Sequence, residues 1–332
     1  MALNVSTGTL GDSAPAQGAF PANHEYYVRE FIEIAQPELV YEMFGTPKNI
    51  PNNSSNTIKF NKVSELATLE DSPLTEGVTP TEQQFTLTRI ETSIDQYGGF
   101  ATTTDRLTEE SINGLTSEFT TRIGEQAGKT MNKVERDDLL GGTNVRRTGG
   151  VADIDLITAS GVGTADLDYI FLAFKQEHVK PFRPMTSGSP NTGTQPMRET
   201  YPVTVPVEAA PLLKAMTGFV ATPDYASQRP TWMNEYGSYE QFSFILDTEA
   251  NIETNGAGTP QLIAQSLVFG KDAYHYTTIG AKDVELIIKE LGSAGTADPL
   301  NQRATIGWKA KKGCVIVQQT YMFRFEFSLG DA

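Results

Sequence analysis

The chain holds one cysteine, Cys314, in 332 residues. No internal disulfide can form, so folding needs no oxidising compartment. A lone thiol can be a nucleophile. Cys314, however, opens the apolar run Cys314-Val-Ile-Val317, where a free cysteine ordinarily serves as a small buried residue. Cations are also scarce: 26 Lys and Arg stand against 41 Asp and Glu, a formal net charge of −15. Nucleic-acid binders carry a basic patch or stripe. The densest basic clusters here are Lys309-Ala-Lys-Lys312 and Arg146-Arg147. That balance excludes a surface that grips DNA tightly. It suits one that lies near DNA without sticking to it. Long apolar runs are missing too, and none approaches the ~18 residues that span a bilayer. No basic side chain precedes Arg29 and no apolar signal-peptide core follows. The expectation is a protein made and used in water, with no membrane partner.

The groupings that carry chemistry are equally thin. The three histidines, His24, His178 and His275, are far apart, and no His-Glu-x-x-His or cysteine pair offers a zinc site. Gly128-Lys129-Thr130 has the end of a phosphate loop, but Gly124 stands one residue too close and the whole segment reads as helix. No Gly-x-Ser-x-Gly elbow is present. Asp247, Glu249 and Glu253, or Asp153 with Asp155, are possible calcium ligands. They lack the glycine and terminal glutamate of a calcium loop, and a solvated acidic face is the simpler reading. Glu135, Asp137 and Asp138 can be an acid/base pair. Pairing with Lys133 and Arg136, or plain exposure, is the simpler account of them. No nucleophile, base and oxyanion site assembles. The expectation is no enzyme, no metal and no cofactor.

What is present is a chain that is 39% apolar and long enough for one large domain or two. Residues 1–22 are rich in Gly, Ala, Ser, Thr and Pro and read as an extended arm. His24 to Phe44 has helical spacing broken by Pro37. Thr57 to Phe60 and Phe85 to Ile94 alternate as strands do, around a long acidic connection. They predict a two-stranded projection too small to stand alone, which leans on another subunit. Asp105 to Leu140 is the strongest helix: Leu115, Phe119, Ile123, Ala127 and Met131 recur every four residues, and Gly141-Gly142 ends it. At 1.5 Å per residue it spans about 50 Å. Asp153 to Ile157 reads as a strand, Asp166 to Val179 as a helix, Met185 to Pro196 as a polar loop and Tyr201 to Val205 as a strand. Pro206 to Thr217 reads as a helix. Phe242 to Leu246, Leu262 to Phe269, Val284 to Ile288 and Tyr321 to Leu329 complete the strands. Strands mixed with helices, without a regular βαβ repeat, predict an α+β fold.

One segment remains: Leu291-Gly-Ser-Ala-Gly-Thr-Ala-Asp-Pro-Leu-Asn-Gln-Arg303 with Ile306-Gly-Trp-Lys-Ala310. Its glycines, Asp298, Asn301 and Arg303 invite an active-site reading. With no catalytic group elsewhere to join it, it reads instead as a structured turn anchored in the core by Trp308. Three other stretches accompany it: Leu74-Thr-Glu-Gly-Val-Thr-Pro80 leading to Ile94-Asp-Gln-Tyr-Gly-Gly-Phe100, the long helix, and Leu267-Val-Phe-Gly-Lys-Asp-Ala-Tyr274. Together they resemble the major capsid proteins of tailed phages with the Hong Kong 97-like fold, and among them the N-four-like podophage group. Thr200 to Val220 departs from many relatives.

The resemblance implies an N-terminal arm (1–56), an extended two-stranded loop (57–96) and a peripheral domain with a spine helix (97–150). A mixed α/β axial domain (151–300) and returning C-terminal strands (301–332) complete it. It implies an icosahedral virion shell of hexamers and pentamers around double-stranded DNA, assembled in the bacterial host cytoplasm. Partners would be the chain itself and portal, scaffold and decoration proteins, with DNA enclosed but not read. Inter-subunit contacts are expected at Phe20, Tyr27, Leu74, Glu76, Gly77, Val78, Asp298 and Arg303. An encapsulin-like nanocompartment is the alternative on the same fold; a hydrolase using acidic residues is the alternative off it.

Overall fold

A computed structural model describes residues 40–50, 56–64, 66, 73–79, 82–106, 115–158, 161–182, 199–225, 232, 234–256, 259–279, 284–295 and 298–331. The expected arm and the polar loop at 185–196 lie outside the described residues. So does most of the His24–Phe44 pattern, of which a single 3-10 turn, Tyr41–Met43, is described.

In chain order the strands begin with β1 (Thr46–Ile50), β2 (Thr57–Val63), β3 (Leu87–Ser93) and β4 (Asp95–Thr104). Helix α1 (Leu115–Leu140) follows, then β5 (Val145–Arg147), α2 (Thr164–Gln176), β6 (Tyr201–Pro206) and α3 (Ala210–Ala215). The chain continues through β7 (Val220–Ala221), β8 (Glu235–Tyr239), β9 (Phe242–Asp247) and β10 (Asn251–Thr254). It closes with β11 (Gln261–Phe269), β12 (Tyr274–Ile279), β13 (Val284–Lys289), β14 (Arg303–Ile316) and β15 (Met322–Asp331). The mixed content is the expected α+β class.

Two larger sheets organise the molecule. The first has the order β1-β12-β14-β13, with β4 also on β14. Strand β14 is its hub: β13 pairs with residues 305–310, β12 with 312–316 and β4 with 303–312. The second has the order β5-β15-β11-β6-β9-β8-β7, with β10 on β11. β6 is buried along its whole length, which fits a strand covered on both faces.

Three apolar clusters follow from period-2 strands and a 3.6-period helix. Ile123, Ala127 and Met131 of α1 pack on Leu286 of β13 and on Ile306, Trp308 and Ala310 of β14. On one face of the second sheet, Leu167, Ile170 and Phe174 of α2 and Leu213 of α3 cover Phe244, Val268 and Phe325. The other face presents Ile245, Leu267, Phe269 and Met322 to Tyr274 and Cys314 of the first sheet and to Leu139 of α1. Val40, Tyr41 and Phe44 fill that same cluster, so the root of the N-terminal segment is core.

The long helix is described from Leu115 onward, and two other expectations need correction. The described helix α1 has 26 residues, hence about 39 Å. Asp105 and Arg106 are helical, and residues 107–114 lie outside the described set. Its stop is as expected: Gly142 N donates to Leu139 O at 3.1 Å. A Cβ at Gly142 would meet Met322 Cε at 2.7 Å, a methyl that would have to swing aside. Asp153 to Ile157 is no strand but a 3-10 turn at Ile154–Leu156. The N–H groups of Leu156 and Ile157 bond back to Asp153 O and Ile154 O, which leaves them unavailable to a ladder. The glycine-rich block is a turn only as far as Gln302; from Arg303 to Ala310 it is the first half of β14.

Candidate assembly surface

β2 and β3 form a two-stranded sheet of their own, in register from Thr57↔Ser93 to Val63↔Leu87. The ladder extends one pair further, through Ser64 N to Thr86 O at 2.9 Å and Thr86 N to Ser64 Oγ at 3.0 Å. Its base is tied to the first sheet. The Thr92 hydroxyl donates to Cys314 O at 3.3 Å, and Phe60 packs on the His275 ring at 5.1 Å. Gly313 lets the strands approach there, since a Cβ would lie 2.6 Å from Ser93 O. The outer end carries a turn in which Val78 N donates to Thr75 O at 3.1 Å. Gly77, with φ +76°, takes the left-handed conformation that this turn requires.

The projection is apolar where it meets water. Six of the fourteen large apolar side chains exposed among the described residues lie on it: Val63, Leu66, Leu74, Val78, Phe85 and Leu87. Leu74 at the turn is 78% exposed, and the directly paired Val63 and Leu87 are 52% and 68% exposed. The Lys59–Glu91 pair at 3.1 Å is solvent-exposed and adds under about 1 kcal/mol. A lone hairpin is marginal in water, and concentrated exposed apolar surface marks a contact site.

The expected site residues fall in three places. Leu74, Glu76, Gly77 and Val78 form the projection's turn and are exposed. Phe20 and Tyr27 lie outside the described residues. Asp298 is buried and works within the chain: its Oδ2 accepts Arg303 N at 2.8 Å, and its carbonyl accepts Asn301 N at 3.1 Å. It thereby sets the start of β14, while Arg303 itself is exposed. Trp308 is 4% exposed, opposite Gly99 of β4, and its Nε1 donates to Gln126 Oε1 of α1 at 3.3 Å. A Cβ on Gly99 would stand 3.2 Å from that indole nitrogen.

Of the acidic groups expected on a solvated face, Asp153, Asp155 and Glu253 are exposed and Glu249 is half-buried, but Asp247 departs from it. Asp247 is buried, accepting from Asn132 Nδ2 at 3.2 Å and Glu249 N at 3.0 Å. Burial raises its carboxyl pKa, partly offset by those donors. Glu249 pairs with Lys133 at 2.6 Å and Glu253 accepts from Gln265 at 2.9 Å, so the three carboxylates go to separate partners. Asp155 accepts Gly256 N at 2.6 Å. Among the described residues no three His, Cys, Asp or Glu come together to hold a metal ion. Cys314 is buried, and burial, with Glu135 and Asp138 nearby, pushes its thiol pKa up, away from thiolate reactivity. No described helix is long and apolar enough to cross a membrane.

The basic clusters are used internally too. Arg146 pairs with Asp166 at 2.5 Å and Arg147 with Glu326 at 2.7 Å. Lys312 is buried between Glu42 and Glu135. Glu135 had two expected readings, an acid/base partner or an exposed group paired with Lys133 or Arg136. Both are corrected: it is fully buried, facing β14. The missed signal is its phase, since Glu135 stands four residues after Met131 on the buried stripe of α1.

Neither a protein-family model nor a curated protein matches the chain. Solved structures do. The capsid of Ralstonia phage GP4 aligns over 86% of this chain and 87% of its own, at TM-score 0.60 and 11% identity. The capsid of cyanophage P-SCSP1u aligns over 86% and 87%, at TM-score 0.56 and 12% identity. The capsid of cyanophage Pam1 aligns over 84% and 86%, at TM-score 0.57 and 13% identity. The fold of this chain is therefore that of tailed-phage capsid subunits, the Hong Kong 97-like fold.

Proposed function

We propose that the chain is a major capsid protein, the repeating subunit of an icosahedral shell around double-stranded DNA. The observation that carries this reading is the apolar two-stranded projection on a capsid fold. Its exposed Val63, Leu74, Val78 and Leu87 need a cover that their own two strands do not supply. A closed shell supplies it by repeating one modest contact many times. The charge supports the same reading. With a net −15 and its main basic clusters paired inside the chain, the subunit repels packaged DNA and leaves it mobile.

Hexamers and pentamers are the expected capsomers, with residues 1–56 as arm, 57–96 as extended loop and 97–150 as peripheral domain. Residues 151–300 would then be the axial domain and 301–332 the returning strands. The exposed turn residues Leu74, Glu76, Gly77 and Val78, with Phe20, Tyr27 and Arg303, are the proposed contact set, and the buried Asp298, expected among them, serves instead to hold the turn before Arg303. The Leu291–Ala310 segment supports the N-four-like podophage group. Portal, scaffold and decoration proteins would complete the particle in the cytoplasm of a bacterial host. The role is structural, without catalysis.

Electron microscopy and light scattering of the full chain, purified alone and co-expressed with its neighbouring gene products, test this. Closed shells or capsomers are expected. Uniform monomers under every condition would overturn it.

A further inference from the structure

The core beneath the arm root holds three ionisable groups whose charges do not balance. Lys312 of β14 lies 2.9 Å from Glu135 Oε1 of α1, and its ammonium also donates to Glu42 of the 3-10 turn Tyr41–Met43. The Lys312 and Glu135 side chains are 5% and 0% exposed, and Glu42 is 22% exposed. Two carboxylates thus share one ammonium. Glu135 Oε2 has no hydrogen-bond donor among the described residues. A buried carboxylate oxygen without a donor is costly, and a proton removes that cost.

The same place holds the start of the described chain. Asn132 Oδ1, one turn of α1 before Glu135, accepts the N–H groups of Val40 and Tyr41 at 2.9 and 3.4 Å. The Tyr274 hydroxyl donates to Tyr41 O. Glu42 is therefore the ionic tie of a segment otherwise held by packing and these bonds.

We propose that Lys312, Glu42 and Glu135 form a pH-sensitive latch, which holds Val40–Phe44 against α1 at mildly acidic pH and loosens it as the pH rises to neutrality. With Glu135 protonated, Lys312 and Glu42 make a balanced pair. When Glu135 ionises, the buried cluster carries a net negative charge, and Glu42, its most exposed member, is the group best able to leave. Every element around Glu135 contributes a titratable group. They are Asp138 on α1, Glu42 on the turn, Tyr274 on β12, and Lys312 and Cys314 on β14.

Their balance sets the window. Burial is the largest influence and lifts Glu135 from 4.5 to about 7; Lys312 opposes it, while Glu42 and Asp138 add to it. Burial alone would depress Lys312, but the two carboxylates outweigh it and raise Lys312 to about 12, so it stays charged throughout. An acid whose folded pKa is raised binds its proton more tightly when folded. Its contribution therefore favours the latched state at low pH, declines from 4.5 to about 7 and is flat above.

Hydrogen exchange of the Val40 and Tyr41 amides in the full chain tests the latch, corrected for intrinsic exchange. Protection should fall at least roughly tenfold between about pH 5.5 and about pH 8.5 in the unsubstituted protein. Glu135→Gln, a neutral isostere of the protonated acid, should keep high protection throughout. Glu42→Gln restores a one-to-one pair, so its step should move down toward the ordinary carboxylate range. An unsubstituted chain with no step overturns the latch, as does a step of equal size in Glu135→Gln. If Glu135→Gln fails to fold by circular dichroism, Glu42→Gln decides alone: a step that stays near neutrality sinks the charge-count argument.

Discussion

At the scale of single residues, Trp308 carries the largest stake in the first cluster. Its indole is 4% exposed between β4 and α1, with Gln126 on its nitrogen and glycine opposite. Removing it leaves a void that neither Gly99 nor Gly307 can fill. Trp308→Ala should cost about 3–5 kcal/mol, the usual range for a large aromatic in a core. Urea unfolding followed by far-ultraviolet circular dichroism measures it, and a loss under about 1 kcal/mol would refute the packing role. Trp308 was legible as an anchor because it is the one aromatic of its segment, whereas the alternation of Ile306, Trp308 and Ala310 that marks a strand went unread. Glu135 was half legible. Its position on the stripe follows from counting fours along α1, but its partners Glu42 and Lys312 come from distant parts of the sequence. Only the fold brings one ammonium to two carboxylates. Asp298 shows the opposite case: the local sequence Asp298-Pro-Leu-Asn301 already spells a turn, and its carboxylate closes it on Arg303 N.

At the scale of elements, periodicity revealed what was amphipathic and missed what was not. Helices α1, α2 and α3 and strands β6, β9, β11, β13 and β15 all have regular apolar patterns. β4 does not: Asp95-Gln-Tyr-Gly-Gly-Phe-Ala-Thr-Thr-Thr104 is poor in apolar residues and rich in glycine, which argues against a strand. Its glycines are there because β14 runs too close for side chains; a Cβ on Gly98 would stand 2.8 Å from Trp308 O. The projection β2–β3 was legible from alternation alone, and its lack of a local core gives the next test. Deleting residues 65–79 removes the turn and the apolar Leu74 and Val78 but leaves the base tied through Thr92 and Phe60. The truncated subunit should keep its cooperative thermal transition by calorimetry and form no shells by electron microscopy. Loss of the transition would mean that the projection stabilises its own subunit and is not an assembly element.

At the scale of the whole molecule, composition already pointed to a surface that does not grip nucleic acid. The structure sharpens this, because the main basic clusters are paired inside the chain and the acidic excess is left to face water. Like charge then opposes association. In the proposed shell each copy would bring −15 to a contact whose attraction is apolar. The range of that repulsion is set by salt: the Debye length is about 30 Å at ~0.01 M and about 8 Å at ~0.15 M. At the lower value neighbouring subunits feel each other's full charge; at the higher only groups in near contact interact. Burial of Leu74, Val78 and Leu87 does not depend on that screening, and added salt leaves it intact or strengthens it. Assembly should therefore improve as sodium chloride rises from ~0.01 to ~0.5 M. The check is the shell fraction by light scattering at fixed protein concentration. An interface built on salt bridges behaves the other way and dissociates as salt screens its attractions. Shells that fall apart on adding salt would place the binding energy in ion pairs between subunits and not in the apolar projection.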